Sequence, residues 1–407
     1  MRQINVLLWI CTAVVWASGG PAVAGYLLVP DFDKNNVLRF DAATGAFVDE
    51  FVSRRSERLN QPWSALIGPH DGNLYVSTGH WRGPGQIKAV LRYDGTTGAF
   101  LDEFVQRGQM EMPHAVMFGP DGNLYVGDIV GADVFGFGEG GRIVRFDGTT
   151  GAFIDEFVTQ LSGGLLHPLA HVFGPTGRGP KYLDLYVTDE DGHDVKRYDG
   201  TTGAFLGAFV AASDLISDPF GLTFGPDGNL YVADFGIGAI LRFAGPSSVT
   251  PGAPMPSAGN SGAVFVAPGS GDLLRPLGVI FGPDGNGDGH QDLYVSNITF
   301  KSFYGKDGSV KRYDGLTGAF IDTFVPIGSG GLDDPSLIAF TETDPVTLQY
   351  LGGPAQHAVI HGVPEPTCLP LIIVAATSAA AYGRKRRSSC TRFCLFPSSC
   401  NGPWSCC

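Results

Sequence analysis

The sequence predicts an all-β fold, a six-bladed β-propeller made of four-stranded blades. Two repeated motifs and a turn-rich composition, with 59 Gly and 28 Pro among 407 residues, predict this fold. The first motif is Arg-aromatic-Asp, whose aromatic residue recurs about every 50 residues, a period typical of propeller blades. The aromatic positions are Phe40, Tyr93, Phe146, Tyr198 and Tyr313, together with Phe243 in a degenerate copy that has Ala244 in place of Asp.

Each repeat contains four short apolar segments, which we name strands A to D. Strand A ends at Phe-Gly-Pro, as at 118–120, and strand B is Leu-Tyr-Val, as at 124–126. The Pro-Asp-Gly-Asn sequence between them predicts a hairpin, because Pro sets the entry of the turn and Gly or Asn tolerates positive φ. Strand C ends at Arg-Tyr-Asp, and an Asp-Gly-Thr-Thr-Gly turn leads to strand D.

The two ends of the repeat region predict how the ring closes. Residues 26–52 supply only strands B, C and D, whereas residues 335–340 supply only an A-like strand. Together with five complete repeats they give six blades. The C-terminal A strand is expected to join the N-terminal B, C and D strands, which removes an exposed sheet edge.

The N-terminal residues 1–24 are predicted to be a signal peptide for export through the Sec route. Arg2 precedes an apolar run over 6–16, and Ala22 and Ala24 supply the small residues that signal peptidase requires. The alternative, an uncleaved membrane anchor, is disfavoured because this run is shorter than the roughly 20 residues of a membrane span.

Residues 363–387 resemble the PEP-CTERM sorting signal, which combines a Pro-Glu-Pro tripeptide, a short hydrophobic segment and a basic cluster. The resemblance implies processing by an exosortase-type membrane enzyme, transient anchoring in the inner membrane, and a destination in the cell envelope or outside the cell. Without the tripeptide, the apolar segment 368–382 would be interpreted as a marginal transmembrane helix. The signal residues are Pro364, Glu365, Pro366, Arg384, Lys385, Arg386 and Arg387.

The tail at 388–407 extends beyond the usual end of such signals and contains five of the seven Cys. It is either a Cys-rich cytoplasmic tail or a misread gene end. The other two Cys also lie in the two terminal segments, so the repeat region contains none. Removing 1–24 and 364–407 leaves 21 Lys and Arg against 39 Asp and Glu. This acidic balance disfavours a nucleic acid partner.

The repeats resemble the NHL family over about residues 25–343, followed by a linker at 344–362. The segments that carry the resemblance are 218–234, Asp-Pro-Phe-Gly-Leu-Thr-Phe-Gly-Pro-Asp-Gly-Asn-Leu-Tyr-Val-Ala-Asp, and 36–40, Asn-Val-Leu-Arg-Phe. The resemblance implies the propeller fold, but it leaves function open, since such propellers serve as binding platforms, lyases and lactonases. Residues 245–262 form a Pro-, Ser- and Gly-rich insert that is expected to loop out of the fourth blade.

In a propeller, the D-to-A and B-to-C links lie on one face, around the mouth of the central channel. Several long B-to-C links carry aromatic residues there, which predicts a surface for an envelope polysaccharide or a protein ligand. The alternative is that these rings fold back over the blades as small satellite cores. The ligand-binding candidates are Trp81, Phe135, Phe137, Phe300, Phe303 and Tyr304.

An enzyme is the alternative function, either streptogramin lyase-like or gluconolactonase-like. The catalytic candidates are mouth histidines that break the repeat, and solvated histidines without a catalytic role are the favoured interpretation. They are His80, His114, His167 and His193. Resemblance to gluconolactonases would imply metal-binding carboxylates at the start of strand A. Those positions carry no carboxylate; they are Trp63, His114, Leu169, Phe220, Leu277 and Ser336. The sequence therefore favours a binding module over an enzyme.

An Asp, or a residue in its place, follows strand B in every blade, and this repetition favours a structural cap over a catalytic ring. A more specific metal motif lies in the fifth blade. It places oxygen donors at alternate positions of a Gly-rich loop, with a backbone carbonyl at His290, and predicts a structural Ca²⁺. The loop lacks the acidic residue at position 12 of an EF-hand and more closely resembles the short calcium loops of FG-GAP propellers. An elongated hairpin without metal is the alternative. The predicted ligands are Asp284, Asn286, Asp288, His290 and Asp292.

Overall fold

The computed structural model describes residues 25–352 except 56–57, 80–86, 132–137, 180–181 and 303–304, and it does not describe the side chains of 300–306. These residues form 24 strands in six antiparallel sheets of four. The strands are β1 (Tyr26–Asp31), β2 (Asn36–Asp41), β3 (Phe47–Val52), β4 (Ala65–Ile67), β5 (Leu74–Thr78), β6 (Ala89–Tyr93), β7 (Phe100–Val105), β8 (Pro113–Phe118), β9 (Leu124–Val130), β10 (Gly140–Phe146), β11 (Phe153–Val158), β12 (Pro168–Pro175), β13 (Leu183–Asp189), β14 (Asp194–Asp199), β15 (Phe205–Val210), β16 (Pro219–Phe224), β17 (Leu230–Asp234), β18 (Ala239–Phe243), β19 (Val264–Val266), β20 (Arg275–Gly282), β21 (Asp292–Ser302), β22 (Gly305–Tyr313), β23 (Phe320–Val325) and β24 (Ala339–Phe340).

The sheets follow the predicted order A, B, C, D. Blades 1 to 5 consist of β4–β7, β8–β11, β12–β15, β16–β19 and β20–β23, and blade 6 has the order β24-β1-β2-β3. In blade 6, Leu27 pairs with Phe340, and the N–H of Ser336 donates to the carbonyl of Pro30 at 3.0 Å. The predicted six-bladed propeller and its closure by the C-terminal A strand are therefore confirmed.

The Arg of the repeated motif joins strand C to strand D. In blade 1, Arg92 Nε and Nη2 donate to the two carboxylate oxygens of Asp102 at 3.1 and 2.6 Å, and the guanidinium lies over the ring of Phe104. The same two-bond pairing occurs at Arg39–Asp49, Arg145–Asp155 and Arg312–Asp322. Since these pairs are partly exposed, each is worth about 1 kcal/mol or less, and their main effect is to fix the register of the outer strands.

The turn after strand C locks each blade to the one before it. Asp94 Oδ1 accepts from both the N–H and the hydroxyl of Thr97, which closes the turn. Gly98 follows with φ +68°, and a Cβ built on it would lie 1.8 Å from the carbonyl oxygen of Phe51 in the preceding blade. A side chain is therefore excluded at this position by both the backbone conformation and the close contact. This explains why Thr and Gly recur at fixed positions in the repeat.

Aromatic rings fill the space between blades. Tyr125 of blade 2 meets Phe157 of its own blade and Phe173 of blade 3 edge to face, each with ring centres 5.0 Å apart. Equivalent Tyr-centred pairs occur at Tyr75, Tyr186, Tyr231 and Tyr294. Such contacts add about 0.5–1.5 kcal/mol each beyond burial of apolar area. The core is thus a ring of inter-blade layers.

Two segments differ from their predicted conformation. The insert at 245–262 does not simply loop out, because the N–H of Met255 donates to the Arg242 carbonyl at 2.9 Å and Arg242 Nε donates to the carbonyl of Met255 at 3.0 Å. Its backbone replaces the carboxylate that pairs with Arg in four other blades. In blade 5 the B-to-C link, which the sequence predicts to be a long loop, is mostly strand, since β21 and β22 stay paired as far as Ser302 and Gly305.

Candidate functional site

The D-to-A and B-to-C links meet on one face, but the channel mouth there is filled. The residues at the start of strand A lie around the axis as predicted, and all six are buried. Four of them, together with Ile298, form one apolar cluster, and Trp63 Nε1 donates across it to the carbonyl of Leu169 at 3.1 Å. The cluster members at the start of strand A are Trp63, Leu169, Phe220 and Leu277. A ligand could reach the axis from this face only by displacing the cluster.

The opposite end of the channel is covered by residues 341–351, the segment after β24. Leu348, at φ +56°, packs against three separate apolar clusters of the ring. The carbonyl of Pro345 accepts from the N–H of Phe118 at 3.1 Å, and the carbonyl of Tyr350 accepts from Gln291 Nε2 at 3.1 Å. The described part of the segment that the sequence assigns to a linker, residues 344–352, therefore contacts the propeller.

Between these two closures lies an axial cavity of about 40 Å³. Its wall is made largely of A-strand residues, including Ser64, Ala115, His171 and Leu222, with Leu348 at one end. A buried water molecule needs roughly 10–15 Å³ of such a cavity. The cavity therefore has room for a few waters and is too small for a sugar or a lactone. Among the described residues, the axis therefore offers no preformed pocket of that size.

The side chains that end strand B act as caps. In blade 2, the Asp128 carboxylate accepts the N–H groups of Glu111 and Met112 at 2.9 and 2.8 Å. In blade 5, Asn297 Oδ1 accepts two N–H groups in the same way. All six side chains are buried and accept backbone N–H groups from the link that enters their own blade; they are Asp31, Thr78, Asp128, Asp189, Asp234 and Asn297. This favours the structural interpretation of the Asp ring.

Burial is costly for these carboxylates. It raises the pKa of Asp128, and Arg142, whose Nη2 lies 2.8 Å from the carboxylate, only partly offsets this. Burial likewise raises the pKa of Asp31 and Asp234 despite their backbone hydrogen bonds. The caps thus satisfy backbone donors that would otherwise be buried without partners, at some electrostatic cost.

Two of the four predicted histidines come together. His114 and His167 meet edge to face with ring centres 5.3 Å apart, and His114 Nδ1 lies 2.9 Å from the carbonyl of Met112. His167 Nδ1 is 3.1 Å from Glu190 Oε2 and 3.5 Å from Asp191 Oδ2. Burial raises the pKa of Glu190, whereas the hydrogen bond with His167 lowers the pKa of Asp191. A histidine held by carboxylates is suited to moving protons.

Of the other two predicted histidines, only His193 is described, and it makes different contacts. His193 contacts the carbonyl of Ser217 and lies 3.8 Å from Asp218 Oδ1. His80 falls outside the described residues, as do Trp81, Phe135, Phe137, Phe303 and Tyr304 among the aromatic candidates. Phe300 belongs to β21, but its side chain is not described. The sorting-signal residues from Pro364 to Arg387 also lie outside the described part of the chain.

His171 was missed by the sequence interpretation. It is 1% exposed, and neither ring nitrogen makes a hydrogen bond of acceptable geometry. Burial lowers its pKa from 6.5 to about 4, an effect that the nearby carbonyl of Tyr125 only partly offsets. Its equivalents in other blades are apolar, for example Val116 and Leu222, so this break in the repeat could have identified it.

The blade-5 loop at 284–292 is organised by its own hydrogen bonds. The Asp284 carboxylate accepts the N–H groups of Gly287 at 2.6 Å and Gly289 at 2.8 Å, and Gly289 lowers the pKa of Asp284. Asn286 Oδ1 and Asp288 Oδ1 accept from Asp288 N–H and His290 N–H, at 2.9 and 2.8 Å. The loop therefore exposes carboxylate and carbonyl oxygens near one another.

Asp292 is the buried member of this loop. Its Oδ2 accepts from Gly285 N–H at 2.8 Å, whereas its Oδ1 is buried without a hydrogen-bond partner, and burial raises its pKa to about 6. The donor set fits Ca²⁺, which prefers hard oxygen ligands, but Arg312 lies close to Gly285 and its positive charge opposes a cation. In the described parts of the chain, no group of three or more His, Cys, Asp or Glu is arranged to hold a metal. The predicted set also uses Asn and a backbone carbonyl, so calcium stays a prediction.

Comparison with known proteins adds no functional information. No family model matches the chain, and no curated protein is significantly similar to it in sequence. The fold therefore defines the class of protein, a six-bladed β-propeller.

Proposed function

We propose that this protein is an exported binding or scaffold propeller of the cell envelope or extracellular matrix, which binds an envelope polysaccharide or protein at its mouth face. The observation that supports this most is the filled axis. Trp63 and its neighbours close one end, Leu348 covers the other, and the cavity between them is about 40 Å³. A ligand of this protein therefore binds the outer surface, where the B-to-C links carry the aromatic candidates.

The binding proposal is tested by capture of envelope glycans and envelope extract on the purified propeller. Replacement of Trp81 or Phe135 by Ala is expected to weaken capture at least tenfold, because aromatic side chains supply much of the energy of such contacts. Tyr182→Ala is the matched control, since this ring is 53% exposed and precedes strand B on the opposite face. Equal loss in all three variants, or no capture by the wild-type protein, would contradict the proposal.

Export and sorting rest on the two terminal segments. In this proposal the signal peptide at 1–24 directs Sec export, and an exosortase-type enzyme recognises the Pro-Glu-Pro tripeptide and releases the tail. Among the described residues, no helix is long and apolar enough to cross a bilayer, and the predicted apolar segment at 368–382 lies outside them. Glu365→Ala is expected to leave a larger, membrane-bound form in the native host, whereas Gln356→Ala should be processed normally. Normal processing of both would refute this route.

A lyase or lactonase is the second candidate, favoured by the contact of His167 with Glu190 and Asp191. In such an enzyme His167 would take a proton from the substrate, and the carboxylates would hold the imidazole in position. Turnover on a panel of lactones and lyase substrates, lost in His167→Gln and retained in His193→Gln, would support this candidate. Inactivity of the wild-type protein across the panel would remove it.

We also propose that the loop at 284–292 binds a structural calcium ion. Calcium is expected to raise the melting temperature of the wild-type protein by several degrees, because a ligand at a hundredfold excess over its Kd stabilises by about 2.7 kcal/mol. Asp288→Asn should abolish the increase, whereas Asp214→Asn, an exposed control on another loop, should keep it. A melting temperature that chelator and calcium leave unchanged would refute the site.

A further inference from the structure

The residue that precedes the capping residue of strand B makes the same hydrogen bond in three blades. In blades 1, 3 and 5 it carries a hydroxyl that accepts an N–H from strand A of its own blade. Ser77 accepts from Ser64 at 3.1 Å, Thr188 from Ala170 at 3.0 Å, and Ser296 from Gly278 at 2.7 Å. Two of these hydroxyls also donate to the next blade, from Thr188 to the carbonyl of Phe220 at 2.7 Å and from Ser296 to that of Ser336 at 2.8 Å. The hydroxyl thus joins two A strands beside the axis.

Blades 2, 4 and 6 lack this hydroxyl, because Gly127, Ala233 and Pro30 occupy the position, and blade 2 is the one with glycine there. Gly127 has no positive φ, and its backbone is therefore open to ordinary side chains. A Cβ built on it would lie 3.1 Å from the carbonyl oxygen of Pro168 and 3.7 Å from His171 Nδ1, both in blade 3. The N–H that corresponds to those of Ser64, Ala170 and Gly278 belongs to Ala115.

Gly127 and His171 therefore face each other between blades 2 and 3, and each differs from the residues at the equivalent positions of the other blades. At neutral pH the buried His171 is uncharged, so one ring nitrogen is a donor and the other an acceptor. Neither makes a well-formed hydrogen bond to the protein, although the carbonyl of Tyr125 lies nearby. Leaving a buried polar group unsatisfied costs about 1–3 kcal/mol, and such groups in folded proteins usually bind an ordered water. The site also borders the axial cavity, whose wall includes both Ala115 and His171.

We propose that a buried water molecule binds between blades 2 and 3, hydrogen-bonded to Ala115 N–H, the carbonyl of Pro168 and His171 Nδ1. This water accepts the A-strand N–H, as a side-chain hydroxyl does in blades 1, 3 and 5, and it links blade 2 to blade 3. Three polar partners are the usual number for a buried water. Gly127 is then required because a side chain at this position would occupy the space of the water, and His171 supplies the third hydrogen bond.

The decisive experiment compares two substitutions that add the same Cβ. Gly127→Ser supplies the hydroxyl that replaces the water, whereas Gly127→Ala removes space for the water and offers no polar group. Both meet the Pro168 carbonyl equally, so their difference isolates the hydroxyl. The unfolding equilibrium constant of Gly127→Ala is expected to exceed that of Gly127→Ser by about tenfold. In a His171→Leu background this gap should shrink, because one partner of the hydroxyl is lost.

A high-resolution crystal structure of the wild-type protein provides an independent readout. An ordered water within hydrogen-bond distance of both His171 and the Pro168 carbonyl, replaced by Ser Oγ in Gly127→Ser, is the expected result. A dry site in the wild-type crystal overturns the proposal, and so do equal stabilities of the Ser and Ala variants. If neither variant folds, the wild-type crystal alone decides.

Discussion

Phe340→Ala is expected to destabilise the propeller by about 3–5 kcal/mol, the usual cost of removing a buried aromatic ring. Phe340 is 1% exposed and meets Tyr294 of blade 5 with ring centres 4.9 Å apart and Tyr350 at 5.4 Å. It belongs to β24, which pairs with β1 over only two positions. Its loss therefore weakens both an inter-blade layer and the closure of the ring.

Phe118→Ala is the matched control for this substitution. Phe118 occupies the same position in β8 and meets Tyr75 at 5.1 Å, but its strand continues directly into the hairpin of blade 2. Both variants should unfold in denaturant at similarly lowered midpoints. Only Phe340→Ala should speed hydrogen exchange selectively at β1 and β24, because their pairing joins distant parts of the chain. Equal exchange at this junction in both variants would show that closure does not depend on Phe340.

The sequence predicts most of the fold because the repeat contains its own contacts. Arg92 and Asp102 pair across strands C and D, and Gly98 fits against the preceding blade, so these recurring residues of the motif each correspond to a local interaction. The period then gives the number of blades. The fold of such a repeat can be predicted without tertiary information, because similar contacts recur from blade to blade.

Features that occur outside the repeat were harder to predict. The D-to-A links contain short 3₁₀ turns at Ser162–Gly164, Ser270–Asp272 and Ser329–Gly331, each followed by a buried Leu. Gly163 lies against the ring of Phe205, and Gly271 and Gly330 lie against Phe320 and Phe47 in the same way. The three Ser-Gly pairs in the sequence could have predicted these turns. Their spacing is irregular, however, because the turns lie in the links that enter blades 3, 5 and 6.

The state of the channel could not be predicted from residue types alone. Trp63 and Phe220 were correctly placed around the axis, yet a ring of apolar residues can line an open mouth or fill it. Their side chains meet because the inner strands lie close enough for Trp63 to reach Leu169 on another blade. Leu348 was assigned to a linker because no sequence pattern distinguishes a single Leu that packs against the core from one in a free segment.

His171→Leu is expected to make the protein less sensitive to acid. The pKa of His171 is about 4 in the folded state because of burial, whereas an unfolded histidine titrates near 6.5. Between these values the unfolded chain binds a proton that the folded chain does not. Wild-type stability therefore falls as the pH drops below about 6.5, and this loss is complete below about pH 4. At 1.36 kcal/mol per pH unit it amounts to about 3 kcal/mol.

This loss should disappear in His171→Leu, so the stability curves of the two proteins should converge or cross between pH 6.5 and 4. Leu222→Val is the matched control: it changes the equivalent position of blade 4 without altering any titratable group, and its curve should run parallel to that of the wild type. The measurement is denaturant unfolding at a series of pH values. If His171→Leu also runs parallel to the wild type, protonation of His171 does not contribute to acid unfolding, and the acid sensitivity must come from other groups, such as the carboxylates that pair with Arg on the outer strands.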